Sequence, residues 1–269
     1  MDPKIAVIGG GNMGSALVAG LVEKGIASPT DILVCEIDQD RRERLNQQCG
    51  VKVTDRVEET PGFADTLLLA VKPMHLTEVG SRLKPLVCDR HLVISILAGQ
   101  SRRKLGSVLG GMARVVRVMP NLPAQLGAGI SAVTFGDDAD NDQRKLAHEI
   151  LSTVGQVVEV EEELQDAVTA VSGSGPGFLF YLAAQMIKAA EAVGLSGKVA
   201  RQLVVQTMLG TARFLAETSE DPADLVRKVA TPGGTTEAGL EVLTKENLTK
   251  IVSDTIRRAT ERSRELGQA

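Results

Sequence analysis

Three glycine-rich segments, with the hydroxyls beside them, are the residues whose types and spacing offer chemistry. The first, Gly9-Gly10-Gly11-Asn12-Met13-Gly14, has GxGxxG spacing. It follows an apolar run ending at Ile8 and opens a helical pattern over Asn12–Glu23. In that setting Gly9 makes a tight turn, Gly11 lets backbone approach a ligand, and Gly14 lets helix pack on strand. The open N–H groups at the start of such a helix receive a pyrophosphate. The spacing GxxxxGK[ST] is absent, so the turn is not a P-loop.

The second segment is Thr231-Pro232-Gly233-Gly234-Thr235-Thr236-Glu237. Pro232 ends one helix, and Thr235 or Thr236 opens the next. Several N–H groups and two hydroxyls then meet at one helix start, a receptor for a small carboxylate. The same residues would equally serve as a plain helix–turn–helix corner with a capping Thr. The third segment, Ser172-Gly173-Ser174-Gly175-Pro176-Gly177, is too rich in glycine for a helix interior. It reads as a break where backbone comes close to something, whether a ligand or another chain.

The elements that must position these residues follow from apolar patterning. Nearly continuous apolar runs at residues 4–8, 32–35, 66–71, 92–96 and 114–118 read as strands buried on both faces. Helical patterns at 12–23 and 40–48 separate the first of them, which predicts a doubly wound parallel α/β sheet of Rossmann type. Runs at 130–134 and 157–160 add edge strands, with a helix at 141–153 between them. Past Glu161-Glu162-Glu163 no strand signal remains. We therefore expect a dinucleotide-binding domain over residues 1–161 and an all-helical dimerisation and substrate-binding domain over 162–269. In the latter, residues 176–193 are apolar on nearly every side, so this helix is expected to be buried almost all round, against a second subunit. Asp221-Pro222 is a helix start, an N-cap acid followed by Pro.

Whether the ribose carries a 2′-phosphate is decided at the end of the second strand, Val34-Cys35-Glu36-Ile37-Asp38. A carboxylate there accepts from a 2′-hydroxyl and repels a 2′-phosphate, so Glu36 favours NADH over NADPH. Arg41 and Arg42 follow and are suited instead to a 2′-phosphate.

Composition narrows the classes. The chain has 269 residues, a formal net charge of −4, no Trp and one Tyr, which disfavours a general nucleic-acid binder. Cys35, Cys49 and Cys88 form no CxxC, and His75, His91 and His148 no HExxH, so neither a metal site nor a disulfide framework is expected. The N-terminus lacks a signal-peptide pattern, and we expect no apolar run near the ~18 residues of a membrane span. The expected location is the cytoplasm.

Together the segments IAVIGGGNMGSAL, LLLAVKP, SILAG, VVRVMPNLP, DAVTAVSGSGPGFLF and LVRKVATPGGTTEAGLEVL resemble pyrroline-5-carboxylate reductase over essentially the whole chain. The last is the most specific. The resemblance implies reduction of the C=N bond of 1-pyrroline-5-carboxylate to L-proline with NADH or NADPH, the final step of proline synthesis. It implies that Gly9, Gly10, Gly11, Asn12, Met13 and Gly14 bind the dinucleotide, with Glu36 at the ribose. Ala70, Val71, Lys72, Pro73, Leu97 and Ala98 would line the cofactor, and Met119, Pro120 and Asn121 would lie by the nicotinamide. The substrate carboxylate would meet Gly234, Thr235 and Thr236 with Thr231 nearby, and the Thr236 hydroxyl would bond the ring nitrogen as the catalytic residue. Glu162 would contribute an acid to the substrate site. A homodimer is implied, or a larger homo-oligomer such as a decamer.

The sequence departs from the family pattern at Glu36-Ile37, where many members carry Asn-Arg, and at Val57, where an Asn is frequent. Leu122 and Phe178 stand where the family carries a hydroxyl. A β-hydroxyacid dehydrogenase is disfavoured, because its Lys and Asn positions fall on Leu179 and Ala183. A deazaflavin reductase is a further alternative, with no specific motif to carry it. A non-catalytic NADH sensor would need an output segment, and none is left unassigned.

Overall fold

The computed structural model describes residues 3–268. They group into two compact units. One holds the chain up to Ser174 together with the C-terminal stretch from Ala259, and the other is Gly175–Arg258.

The first unit is built on eight strands. They are β1 (Ile5–Ile8), β2 (Ile32–Cys35), β3 (Lys52–Thr54), β4 (Thr66–Leu69), β5 (Leu92–Ser95), β6 (Arg114–Met119), β7 (Gly129–Thr134) and β8 (Gly155–Glu159). Their order across the sheet is β3-β2-β1-β4-β5-β6-β7-β8. Every neighbouring pair is parallel except β6 with β7. Successive side chains point to opposite faces of a strand. Ile5 and Val7 therefore enter one core with Val34, Leu68, Ile94 and Val116, while Ala6 and Ile8 enter another with Leu67, Leu69, Val93 and Val115. Both faces are buried, which is why the strands read as unbroken apolar runs.

The helices of this unit are α1 (Asn12–Glu23), α2 (Gln39–Cys49), α3 (Thr60–Phe63), α4 (Leu76–Leu83), α5 (Arg102–Val108), α6 (Asn141–Ser152) and α7 (Gln165–Val168). Their starts obey local chemistry. Asp38 caps α2 by accepting from the Arg41 N–H, Ser101 caps α5 at Lys104, and Asp140 with Gln143 forms a capping box on α6. A π-helical turn, Thr169–Gly173, follows α7.

The second unit is helical throughout. It contains α8 (Gly175–Ala192), α9 (Gly197–Glu217), α10 (Pro222–Val229), α11 (Thr235–Lys245) and the first part of α12 (Leu248–Gln268). Asp221 caps α10 through the Ala223 N–H at 2.8 Å, with Pro222 in the first helical position.

Several expectations need correction. The β3 strand, helix α4 and helix α5 were not legible; each is short, and β3 is an edge strand of three residues, none of them buried. The apolar helix expected to be covered by a second subunit is, as that expectation requires, open within one chain, where Phe180, Tyr181 and Leu182 are 62%, 70% and 51% exposed. Among the described residues of the second unit only Pro176, Ala200 and Val204 are buried. A helical unit with so small a core needs an outside surface to close it. The expectation on apolar length fails. The stretch Glu162–Ala192 contains an 18-residue window of mean hydropathy 1.2, apolar and long enough to span a membrane by composition alone. The compact units of the single chain divide at Ser174 and Arg258, because residues 162–173 and the end of α12 make their contacts with the sheet unit.

Candidate active site

The sheet order reverses beside β1, whose neighbours are β2 and β4. Ligands bind in the crevice beyond the strand ends at such a switch point. The glycine turn sits there. Gly9 has φ +109°, and a Cβ on it would lie 2.6 Å from the Ala70 carbonyl oxygen. A Cβ on Gly14 would run into the Gly9 carbonyl. Both positions therefore require glycine, one for conformation and one for space. Gly11 is the N-cap of α1 and supplies no side-chain cap, and the first intrahelical bond runs from the Ser15 N–H to Gly11 at 2.8 Å. The N–H groups of Asn12, Met13 and Gly14 precede it, so they are available to an anion.

A cleft of about 340 Å³ opens from this turn and is lined by Gly9, Gly11, Glu36, Ala70, Val71 and Lys72, among others. Glu36 is 7% exposed. Its Oε2 accepts from the Gly10 N–H at 2.8 Å and its Oε1 from the Asp38 N–H at 3.0 Å. Arg41 approaches Oε2 at 4.0 Å, and Arg42 donates to the Glu36 carbonyl at 2.7 Å. The carboxylate thus ties the glycine turn to the end of β2, and each oxygen keeps one lone-pair direction for a further donor. Ile37 beside it is 81% exposed.

The cleft holds groups that sequence reasoning missed. Arg82 donates to both carboxylate oxygens of Glu58 at 2.7 and 2.9 Å, which lowers the Glu58 pKa. Burial pushes the Cys35 thiol up to about 11, so it stands as a neutral thiol in the lining of the cleft. No spacing rule links residues 58 and 82.

Farther along the strand ends, Ala70 donates its N–H to Ile8 at 2.8 Å, and Leu97 is 2% exposed. Ala98 follows Leu97 in the loop after β5, Lys72 and Pro73 are exposed beside the cleft, and Pro120 is buried after β6. Asn121 accepts the Ile130 N–H at 3.0 Å, so its side-chain oxygen pins the start of β7. Met119 lies against Gly173 of the π-helical turn. The close approach expected of the third glycine segment is therefore to a side chain of the same unit.

Glu162 is bound within the sheet unit. Its Oε1 accepts from the buried Arg117 guanidinium at 2.8 Å and from the Arg102 N–H at 3.2 Å, while Oε2 is buried without a partner. A sequence signal for the pair was present: Arg117 stands in the buried strand RVVRVM, and a cation there demands an acid.

In the second unit Gly234 is the N-cap of α11. Its N–H bonds the Thr231 carbonyl at 2.9 Å, and the Gly233 N–H bonds Glu237 Oε2 at 2.7 Å. Gly234 therefore contributes shape, and its amide is engaged. The first intrahelical bond runs from Ala238 to Gly234 at 3.2 Å. The N–H groups of Thr235, Thr236 and Glu237 precede it, with the hydroxyls of Thr235 and Thr236 alongside. The amides at this helix start suit a carboxylate.

Residues 162–266 match the family model described as pyrroline-5-carboxylate reductase dimerisation. Residues 4–99 match one described as NADP oxidoreductase, coenzyme F420-dependent. The chain is 40% identical to the pyrroline-5-carboxylate reductase of Synechocystis sp. over 100% of both sequences. Its fold is similar to the solved pyrroline-5-carboxylate reductase of Coxiella burnetii, with TM-score 0.93, 35% identity and 99% of each chain covered. It is also similar to the Plasmodium falciparum pyrroline carboxylate reductase solved with NADP bound, with TM-score 0.88 and 27% identity over 99% of this chain and 98% of that one.

Proposed function

The chain belongs to the pyrroline-5-carboxylate reductases, which reduce the C=N bond of 1-pyrroline-5-carboxylate to L-proline with NADH or NADPH, and we propose that its two glycine turns hold the two reactants. It is a homo-oligomer acting on a small molecule. A dehydrogenase of β-hydroxyacids and a non-catalytic sensor are not favoured by these relatives.

The cleft fits a dinucleotide on this chain's own terms. Gly9 and Gly14 exclude side chains, and the start of α1 is uncapped. Gly9 to Gly14 then hold the diphosphate, Glu36 faces the ribose, Ala70 to Pro73, Leu97 and Ala98 line the cofactor, and Met119 to Asn121 lie by the nicotinamide. Bound there, the reduced nicotinamide supplies hydride to the imine carbon. Glu36 makes NADH the preferred donor, because a 2′-phosphate would meet a buried carboxylate.

The substrate carboxylate is received by the N–H groups of Thr235 and Thr236, shaped by Gly234 and Thr231. The observation that carries this assignment is the run of three amides at the start of α11 that precede the first helical bond. Thr236 then orients the ring and bonds its nitrogen. A cyclic imine can arrive already protonated, and no strong general acid is then required of the chain. Most of the rate comes from orientation, with the reacting carbons held ~3–3.5 Å apart. Glu162 we assign to holding Arg117 rather than substrate. The minimal assembly is a dimer closed over α8, from which a decamer could be built. We place the enzyme in the cytoplasm, acting without a nucleic-acid or membrane partner.

Absorbance at 340 nm with fresh substrate, run in parallel with NADH and NADPH, tests the reading. Proline formation at a higher kcat/KM with NADH is expected. A clear preference for NADPH would remove the role given to Glu36.

A further inference from the structure

We propose that the π-helical turn Thr169–Gly173 is a positioning element that sets where Met119 stands at the end of β6. The proposal rests on the reading above that Met119 borders the nicotinamide. The observation is steric. A Cβ on Gly173 would lie 2.5 Å from Met119 Cε and 3.7 Å from Thr169 Cγ2. The space that a side chain would fill is thus occupied by the terminal methyl of Met119.

The turn cannot move aside to relieve such a contact, because it is anchored to the sheet ahead of it. Gln165, fully buried, donates to the Ala132 carbonyl at 3.3 Å and to Thr134 Oγ1 at 2.9 Å, both on β7. Glu162 holds Arg117 on β6, two residues before Met119. The turn itself is closed by the Ser174 N–H on the Thr169 carbonyl at 2.8 Å, by Ser172 Oγ on Val168 at 3.1 Å, and by Thr169 Oγ1 on Gln165 at 2.8 Å. What yields to a larger residue at 173 is therefore the flexible end of Met119. π-Turns inside helices recur at functional sites, where the wider turn re-aims the residues it carries. Here it brings a glycine against the side chain that closes the end of β6. Gly173 acts through Met119, so it is a positioning residue and not a catalytic one.

The test is NADH affinity, measured by calorimetry on the full chain, with thermal melting recorded for every variant. Gly173→Ala is expected to weaken NADH binding by about 5-fold or more, the size of a typical coupling between touching residues. Its melting temperature should stay near that of the parent. In the double variant Gly173→Ala/Met119→Ala the alanine at 173 should cost nothing further, so its affinity should equal that of Met119→Ala alone. Met119→Leu, which withdraws the methyl without altering the turn, should also change NADH affinity. If Met119→Ala and Met119→Leu change affinity but Gly173→Ala does not, the positioning role is overturned and the placement of Met119 survives. If neither Met119 variant changes affinity, the placement of Met119 is wrong and the proposal falls with it. Should Gly173→Ala not fold, recovery of fold and affinity in the double variant supports the contact. A double variant that also fails to fold shows that the alanine collides elsewhere, and overturns it.

Discussion

Replacing Glu36 by Gln is the perturbation that separates the two duties of this carboxylate. In the fold it accepts from the Gly10 and Asp38 N–H groups at 2.8 and 3.0 Å. The Gln carbonyl can keep the buried bond to Gly10. Its amide nitrogen then faces the Asp38 N–H, two donors together, and that contact is lost to water at about 1 kcal/mol. The effect on the cofactor is larger. A hydrogen bond from a ribose hydroxyl to a charged acceptor is worth ~1.5–3 kcal/mol, so kcat/KM with NADH should fall about 10-fold or more. Repulsion between a carboxylate and a 2′-phosphate at ~4 Å lies between ~1 and ~4 kcal/mol per charge pair, depending on screening. Arg41, 4.0 Å from Glu36 Oε2, offsets part of it. Removing the charge should therefore improve NADPH while NADH worsens, and the ratio of the two kcat/KM values should move toward NADPH by about 10-fold or more. Initial rates at 340 nm at one fixed salt concentration measure the ratio, and calorimetry of both nucleotides checks it without turnover. A ratio unchanged within about twofold, well under the 1.4 kcal/mol of a tenfold shift, would refute the reasoning. Glu36 would then serve only to tie the glycine turn to β2.

Four further outcomes are expected. Thr236→Ala should lower turnover by ~10-fold or more, the loss of one hydrogen bond to a charged group, while Thr236→Ser retains most of it; steady-state kinetics decide. Gly9→Ala combines φ +109° with a Cβ 2.6 Å from the Ala70 oxygen, so NADH binding should vanish in calorimetry and the melting temperature should drop. Phe180→Asp puts a charge on a face that is 62% exposed in the single chain, and light scattering should show monomer or insoluble protein; a soluble active dimer counts against α8 as the seam. The Cys35 thiol is raised from 9.0 to about 11 by burial, so the unfolded thiol ionises first. Cys35 then contributes stability in full below pH 9 that declines as pH climbs toward 11, and urea titrations of Cys35→Ala against the parent should show this slope disappear.

Where sequence reasoning succeeded, the cause was close to the residue. Asp221 and Pro222 begin α10 because capping needs only neighbours. The strands around Val7, Ile94 and Val116 were legible because burial on both faces leaves no polar alternation. The turn Gly9 to Gly14 was legible because its strand and helix flank it directly. The edge strand β3, Lys52–Thr54, was not, since its residues carry the mixed pattern of a loop and its place depends on β2.

Amino-acid order alone determined the sheet type, the two glycine turns, the helical second half and, through its motifs, the family. It also made the need for a partner visible, because the apolar surface of α8 exceeds what one helical unit can bury. Only the tertiary structure decided that β7 runs antiparallel to β6, that Glu36 binds Gly10, that Arg117 holds Glu162, and that Met119 lies on Gly173. It also showed that the Gly234 amide is already engaged and that three other amides open α11. The physical reason is range. Caps, turns and strand periodicity are satisfied by residues a few positions away. A buried charge or a missing Cβ is satisfied by whatever the fold brings against it, and nothing in its own neighbours says what that will be.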